Sequence, residues 1–469
     1  MKKIYVLLLT LFVTISIYGQ TPCENGFAQN YPCNGFDLQS HISLDEMNAN
    51  GASDSWGWTD PEDGAEYALV GLTNGTAFID ISDPINPIYL GKLPTHSSSI
   101  IWRDIKVYQN HAFIVSEANG HGMQVFDLTR LRSVASPPET FTEDAHYPGF
   151  GSSHNIVINE ESGYAYSVGD NTFGGGPHMI NIQDPLNPFL EGGYSAGGYT
   201  HDAQVIIYDG PDSDYTGKEI FFGSNEDHIE IVDVTDKANP IQIASLPYSS
   251  SGYTHQNWLT DDRKYMLLGD EADEFDFGFN TRTIVFDVSD LDNIQFHMEY
   301  FGETSSVDHN GYVIGDRYYL SNYSSGLRVV DISNIENQEM TADIYFDTYP
   351  QNNNANYDGS WNVYPFFESQ NIVISGTNGF TLVRESGLNN PDFESNNFNL
   401  IPNPAKNNLR IQSNSNPISK IEVFNILGQR VISIDSENLL TKNIDISSLN
   451  VGIYLVKINS LTTKRLIVK

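Results

Sequence analysis

With 469 residues, 39% of them hydrophobic and 12% aromatic, the chain has the apolar content of a packed protein of more than one domain, which excludes intrinsic disorder. A formal net charge of −36 excludes polyanionic partners, because an acidic body repels nucleic-acid backbones and anionic membranes and favours cations and neutral molecules. The charge is uneven: residues 401–469 hold 9 of the 24 Lys and Arg but only 4 of the 60 Asp and Glu.

Residues 1–19 begin MKK, continue as a short apolar run and read as a secretory signal peptide. No later stretch approaches the ~20 apolar residues that a bilayer needs, so the mature chain is expected to be exported and to lack a transmembrane helix. The only cysteines, Cys23 and Cys33, follow in PCENGFAQNYPC. In an exported chain this close pair predicts a disulfide that pins an N-terminal arm over 20–40. The GQTP ahead of Cys23 lacks the small residues of a lipidation site.

Residues 41–388 repeat one unit. FIDISDPINP, QVFDLTRL, MINIQDPLNP, IEIVDVTDKANP, TIVFDVSDLDN and LRVVDISNIEN each join an apolar run to an acidic or amide residue and a polar turn, with Asp80, Asp127, Asn181, Asp233, Asp287 and Asp331 in equivalent places. A degenerate seventh copy, GFTLVRE, ends near Arg384. The period of roughly 50 residues is that of propeller blades, and runs rich in Val, Ile, Phe and Tyr between turn residues mark each piece as strand. The stretch 154–194 divides into four strands, so the fold class is all-β: a seven-bladed β-propeller followed by a small C-terminal β-sandwich. Six or eight blades fit the same spacing.

In this register the first strands of successive blades begin at Trp56, Arg103, His154, His201, His255, His309 and Trp361. First strands line the central channel, so four imidazoles are expected around one mouth. The second strands return to that face and end at Glu117, Asp170, Glu226 and Asp227, Asp270 and Glu271, and Asn322. His154, His201, His255 and His309 with Asp202, Glu226, Asp227, Asp270 and Glu271 are the candidate ligand or metal residues, of the types zinc or manganese prefers. The competing reading makes each histidine a structural contact to the next blade, since no HxH or HExxH spacing is present. The acidic loops 209–219 and 270–278 are of calcium-binding type but lack the full alternating pattern. Trp56, Trp58, Trp102 and Trp361 suit either packing or stacking on sugar rings.

The blocks CENGFAQNYPCNGFDLQSHISL, WGWTDPEDGAEYALVGLTNGTAFIDISDP, WRDIKV, AFIVSEANGHGMQVFDLTRLR and SSHNIVINEESGYAYSVG closely resemble the choice-of-anchor B family, whose repeats are of the LVIVD type, over about residues 23–387. The resemblance implies a secreted or surface propeller whose C-terminal anchor varies between members. It carries no established activity and no catalytic residue to transfer.

A polar linker, 389–398, leads to residues 399–469. The Pro402-Asn403-Pro404 entry, the turn at Gly428 and the strand holding Gly452 and Tyr454 resemble a type A sorting domain of type IX secretion. That resemblance implies the type IX machinery as partner and the outer surface or the medium as destination. Two functions fit the whole: a non-enzymatic binding or scaffold module for an unknown extracellular ligand, or a metal-dependent hydrolase or lyase with its site at the His-lined mouth.

Overall fold

The repeated Asp has a local physical reason. In the computed structural model, Asp80, Asp127, Asp233, Asp287 and Asp331 end the third strand of their blades, and each carboxylate accepts the backbone N–H two residues on at 2.8–3.0 Å. Asn181 does the same at 3.1 Å. Such a turn satisfies a backbone donor as the strand stops. In the seventh copy Arg384 instead bonds the Asn371 side chain at 2.7 Å, and the chain leaves the propeller there.

The structure describes residues 20–387, 398–413, 417–425, 429–459 and 462–469, which form two units divided at Glu385 and Ser386. Residues 1–19, expected as a signal peptide, Gly428 and all of the expected linker 389–398 but Phe398 lie outside the described residues. Among the described residues, the first unit holds seven sheets of at least four strands, radially arranged and antiparallel except for the short Glu139–Thr140 strand added in parallel to the edge of blade one. Their innermost strands are Ala52–Thr59, Arg103–Tyr108, Asn155–Asn159, Asp202–Ile207, Thr254–Leu259, Asp308–Ile314 and Ser360–Tyr364. Each touches the next, and the last touches the first, so the ring closes at seven blades.

Two devices hold the blades together. An apolar core fills every blade interface; Phe78, Ile105, Ile114 and Phe126, for example, pack between blades one and two. Burial of a side chain of this kind is worth roughly 1.5–3 kcal/mol. Around the channel, polar side chains then stitch each inner strand to the next. Asp104 accepts from the Ile156 amide at 2.9 Å, Gln204 from Leu259 at 2.9 Å and Gln256 from Gly311 at 3.0 Å. Asn155 donates to the His201 carbonyl at 3.1 Å, Asn362 to that of Ser55 at 2.7 Å and Ser53 to that of Arg103 at 3.2 Å, while Asn310 reaches Asn362 at 3.3 Å. The girdle lets a strand turn polar atoms inward and pairs most of them, the Asn310 side-chain oxygen excepted.

The N-terminal reading needs a correction. Residues 20–40 are not an arm outside a propeller that begins at 41. Strand Phe36–Ile42 pairs with Gly379–Glu385 as the outermost strand of blade seven, and Phe27–Ala28 and Tyr31–Asn34 extend the edge of blade six. A bulge between Leu38 and Ser40 switches the strand's faces, so Phe36 and Leu38 enter the core between blades six and seven while Ile42 enters the one between seven and one. Cys23 and Cys33 form a disulfide beside this strand.

In the second unit, a sheet of Phe398–Ile401, Asn408–Ser413 and Thr441–Asp445 and a sheet of Ile418–Asn425, Arg430–Leu439, Gly452–Ile458 and Thr462–Val468 share one apolar core. Tyr454 is buried in that core and its hydroxyl donates to the Asn450 carbonyl at 3.0 Å. Between Pro402 and Pro404, Asn403 accepts from the Ile467 amide at 2.9 Å and ties the domain's entry to its last strand.

Candidate functional site

At one end of the channel the four imidazoles follow one another around the axis. Ring centroids are 4.1 Å apart for His154 and His201, 4.2 Å for His201 and His255 and 4.3 Å for His255 and His309, and Trp361 follows at 5.1 Å. In blades five and seven the register skips one residue, so His255 and Trp361 are the extra residues of β-bulges, and a bulge in blade six spans His309. A bulge re-aims a side chain against the normal alternation. That is how these strands offer a ring to the mouth.

His201, His255 and Glu271 offer ligand atoms that all lie within 4.8 Å of one another. The Glu271 carboxylate takes a hydrogen bond from the Tyr323 hydroxyl at 2.7 Å and stands 3.7 Å from His255 Nε2 and 3.8 Å from His309 Nε2. His154 Nδ1 meets Glu117 at 2.5 Å. Burial, reinforced by the neighbouring imidazoles, holds His201 and His255 well below the usual histidine range, and burial pulls His309 down to about 3. The rings are therefore neutral and carry lone pairs. Burial also raises Glu271 to about 7, against the Tyr323 hydrogen bond.

The other predicted acids do not join this group. Asp270 is a loop organiser, accepting from the amides of Gly252 and Tyr253 and from the Tyr248 hydroxyl at 2.9, 2.6 and 2.7 Å. Asp227 turns outward to His228 at 2.6 Å. Glu226 is exposed near Tyr199 and Tyr253. Asp202 points into the channel beyond the rings, because the residue after a register histidine faces the girdle. In the acidic loops, Asp212 gathers with Asp290 and Asp292 on an exposed surface. Asp273 instead pairs with Arg282 at 2.5 Å.

Three residues further along the inner strands, ~10 Å at 3.3 Å per residue, the channel widens into a cavity of about 340 Å³. Trp56, Trp258, Tyr312, Tyr364 and Phe366 wall one side, Val107, Val157, Ile158 and Val205 the other. Lys106, Asp202, Gln204 and Gln256 supply polar groups. Lys106 Nζ is 2.6 Å from Asp104 and lies over the Trp56 ring at 4.6 Å. Burial raises Asp202 to about 7, with Lys106 opposing. Of the four tryptophans singled out, Trp56 alone lines this cavity; Trp58 stacks on Tyr67 in a blade core, Trp361 packs on His309 and Trp102 is exposed.

Sequence reasoning missed the cavity, although a signal was present. Lys106, Val157, Gln204, Trp258, Tyr312 and Tyr364 are each three residues past the register position of their blade.

Residues 399–469 match the model of the secretion system C-terminal sorting domain. This domain directs the chain through type IX secretion to the cell surface or the extracellular space. Among the described residues, no helix is long and apolar enough to cross a membrane. No curated protein matches the sequence. Among solved structures, the chain is similar to PorZ, described as an essential bacterial surface component of the type IX secretion system of Porphyromonas gingivalis. The identity is 11% and the TM-score 0.45, over 89% of this chain and 59% of that one. It is also similar to the Cps50 (Swd1) β-propeller domain of Myceliophteria thermophila, at 11% identity and TM-score 0.48 over 75% and 99% of the two chains. A third likeness, to the hydrazine synthase of Kuenenia stuttgartiensis, has 10% identity and TM-score 0.51 over 74% and 98%. At such identities the likeness is one of fold, and function is argued from the site.

Proposed function

We infer that the mature chain is a surface-displayed binding module of the choice-of-anchor B, LVIVD-repeat type, and that its ligand seat is the aromatic cavity of the propeller. The observation that carries this reading is the cavity itself: about 340 Å³, with aromatic and aliphatic walls and with Lys106, Glu160, Asp202, Gln204 and Gln256 among its lining residues. Concave apolar walls with a few placed polar groups are the usual form of a small-ligand site. Two apolar sides and a few hydrogen-bonding groups suit one ring-shaped group bearing hydroxyls or amides, the class to which sugar residues belong. The acidic body favours a ligand that is neutral or cationic.

Screening the mature protein against immobilised oligosaccharides tests this. Binding that weakens at least tenfold in Trp258→Ala and in Gln256→Ala supports the cavity as the seat. Binding unchanged in both variants, or no binding to any saccharide, removes it. A metal-dependent hydrolase or lyase is the competing reading, favoured by the convergence of His201, His255 and Glu271 at the other end. It requires an ion there and a substrate group able to reach it.

A further inference from the structure

Packing alone leaves one feature of the His-lined end unexplained. His255 is 1% exposed, and no group meets its ring nitrogens with good hydrogen-bond geometry, although the His309 backbone faces the ring. A buried polar atom left unpaired is costly, and native structures seldom retain one without a reason. Close packing of the four tilted rings and the His309 backbone account for the spacing and for one nitrogen of the central ring, but not for the other.

The neighbours of His255 supply the reason. Glu271 aims one carboxylate oxygen at His255 Nε2 and the other at His309 Nε2, yet both gaps, 3.7 and 3.8 Å, are too long for hydrogen bonds. Two ligand atoms bound to one ion at ~2.1 Å, with a tetrahedral to trigonal angle between them, stand about 3.4–3.6 Å apart. The gaps are close to that separation. His201 adds a tautomer argument. Its Nδ1 lies 3.0 Å from the His255 carbonyl oxygen, a bond that requires the proton on Nδ1 and leaves the lone pair on Nε2. Histidines that ligate metals are commonly oriented by such a backbone bond from the other ring nitrogen.

We propose that His201, His255 and Glu271 hold one transition-metal ion of the zinc class, with Tyr323 as a positioning residue that orients the Glu271 carboxylate. Two imidazoles and one carboxylate are borderline donors that select zinc, cobalt or nickel over calcium or magnesium. Three protein ligands leave a further coordination position for water or for a donor atom of a bound molecule. The site is separate from the aromatic cavity and does not depend on its ligand.

The test uses the mature full-length protein without an affinity tag, stripped with chelator, dialysed against Co²⁺ or Zn²⁺ and then against buffer. Metal per chain is measured by mass spectrometry and the Co²⁺ environment by visible absorption. One retained equivalent with an absorption spectrum of nitrogen and oxygen ligation is expected, with affinity at least tenfold lower in His201→Phe and Glu271→Gln. Glu271→Gln preserves shape and can still accept from Tyr323, so it remains decisive if the histidine variant fails to fold. Less than a tenth of an equivalent retained by the unmodified protein overturns the proposal. So does binding that survives Glu271→Gln and disappears in Asp290→Asn, which would place the ion on the exposed acids instead.

Discussion

The two ends of the channel are built from the same seven strands, yet one presents imidazoles and the other aromatic and aliphatic walls. At the His end, residues of one type recur from blade to blade and contact each other directly, with centroids 4.1–4.3 Å apart. At the far end, Lys106, Val157, Gln204, Trp258, Tyr312 and Tyr364 occupy one register position with little chemistry in common. The polar girdle separates them. A repeat thus conserves a backbone position while leaving each end free to diverge, and the end that repeats in type is not thereby the one with room for a ligand. His255 is buried to 1% exposure, while the unlike residues enclose about 340 Å³.

Both ends depend on ring closure, so the largest effect should come from removing residues 20–42. The deletion takes Phe36, Leu38 and Ile42 from two blade interfaces, about 5–8 kcal/mol of apolar burial, comparable with the whole stability of a typical domain. Loss of a cooperative thermal transition is expected, and an unchanged transition would show that blade seven closes without its outer strand.

The next effect separates the ends by pH. Burial raises Asp170, on the His-end side of blade three, to about 6 from its ordinary 3.8, against hydrogen bonds from Thr172 and Ser167. As pH climbs from 4 to 6 the unfolded chain releases this proton before the folded one does. Stability therefore falls over that window, by about 3 kcal/mol at most for this group. Denaturant titrations at pH 4 and pH 6.5 should show a smaller difference in Asp170→Asn than in the parent protein; equal differences would refute the assignment.

Trp258→Ala should cost about 2 kcal/mol, less than a fully buried Trp, because its ring walls a cavity on one side. The His end should remain intact, which the metal titration on the same variant reads directly.

The smallest effect is expected at the opposite end of the same strand. In protein kept metal-free by chelator, His255→Leu should change stability by less than about 1 kcal/mol, because the packed ring it replaces makes no well-formed hydrogen bond. A cost above about 2 kcal/mol in denaturant unfolding would mean that the imidazole has a structural partner after all.

Much of this molecule was legible before any coordinates. Asp80, Asp127, Asp233, Asp287 and Asp331 mark the ends of third strands because an Asx turn is a local device, complete within three residues. The sorting domain was legible for a related reason, since Pro402, Asn403, Pro404, Gly452 and Tyr454 lie in short strand and bend segments. Asp202, Asp227 and Asp270 were placed at the His mouth on register alone. The structure moves each away: the loop after the second strand turns Asp227 outward and sets Asp270 among loop amides, while Asp202, one step past the register histidine, faces the channel.

What the amino-acid sequence determined by itself is what repeats or lies close along the chain: the all-β class, the blade period, the shared level of the four histidines, the Cys23–Cys33 pair and the export address. Only the tertiary structure decided the rest. Phe36–Ile42 completes blade seven by pairing with Gly379–Glu385, more than three hundred residues away in the chain. Bulges at His255, His309 and Trp361 reverse the strand alternation that a two-residue period assumes. Glu271 meets His255 of its own blade and His201 of the blade before it. The physical reason is common to all three: strand pairing and bulge placement minimise unpaired backbone and exposed apolar surface over the whole ring, and no local segment holds that information.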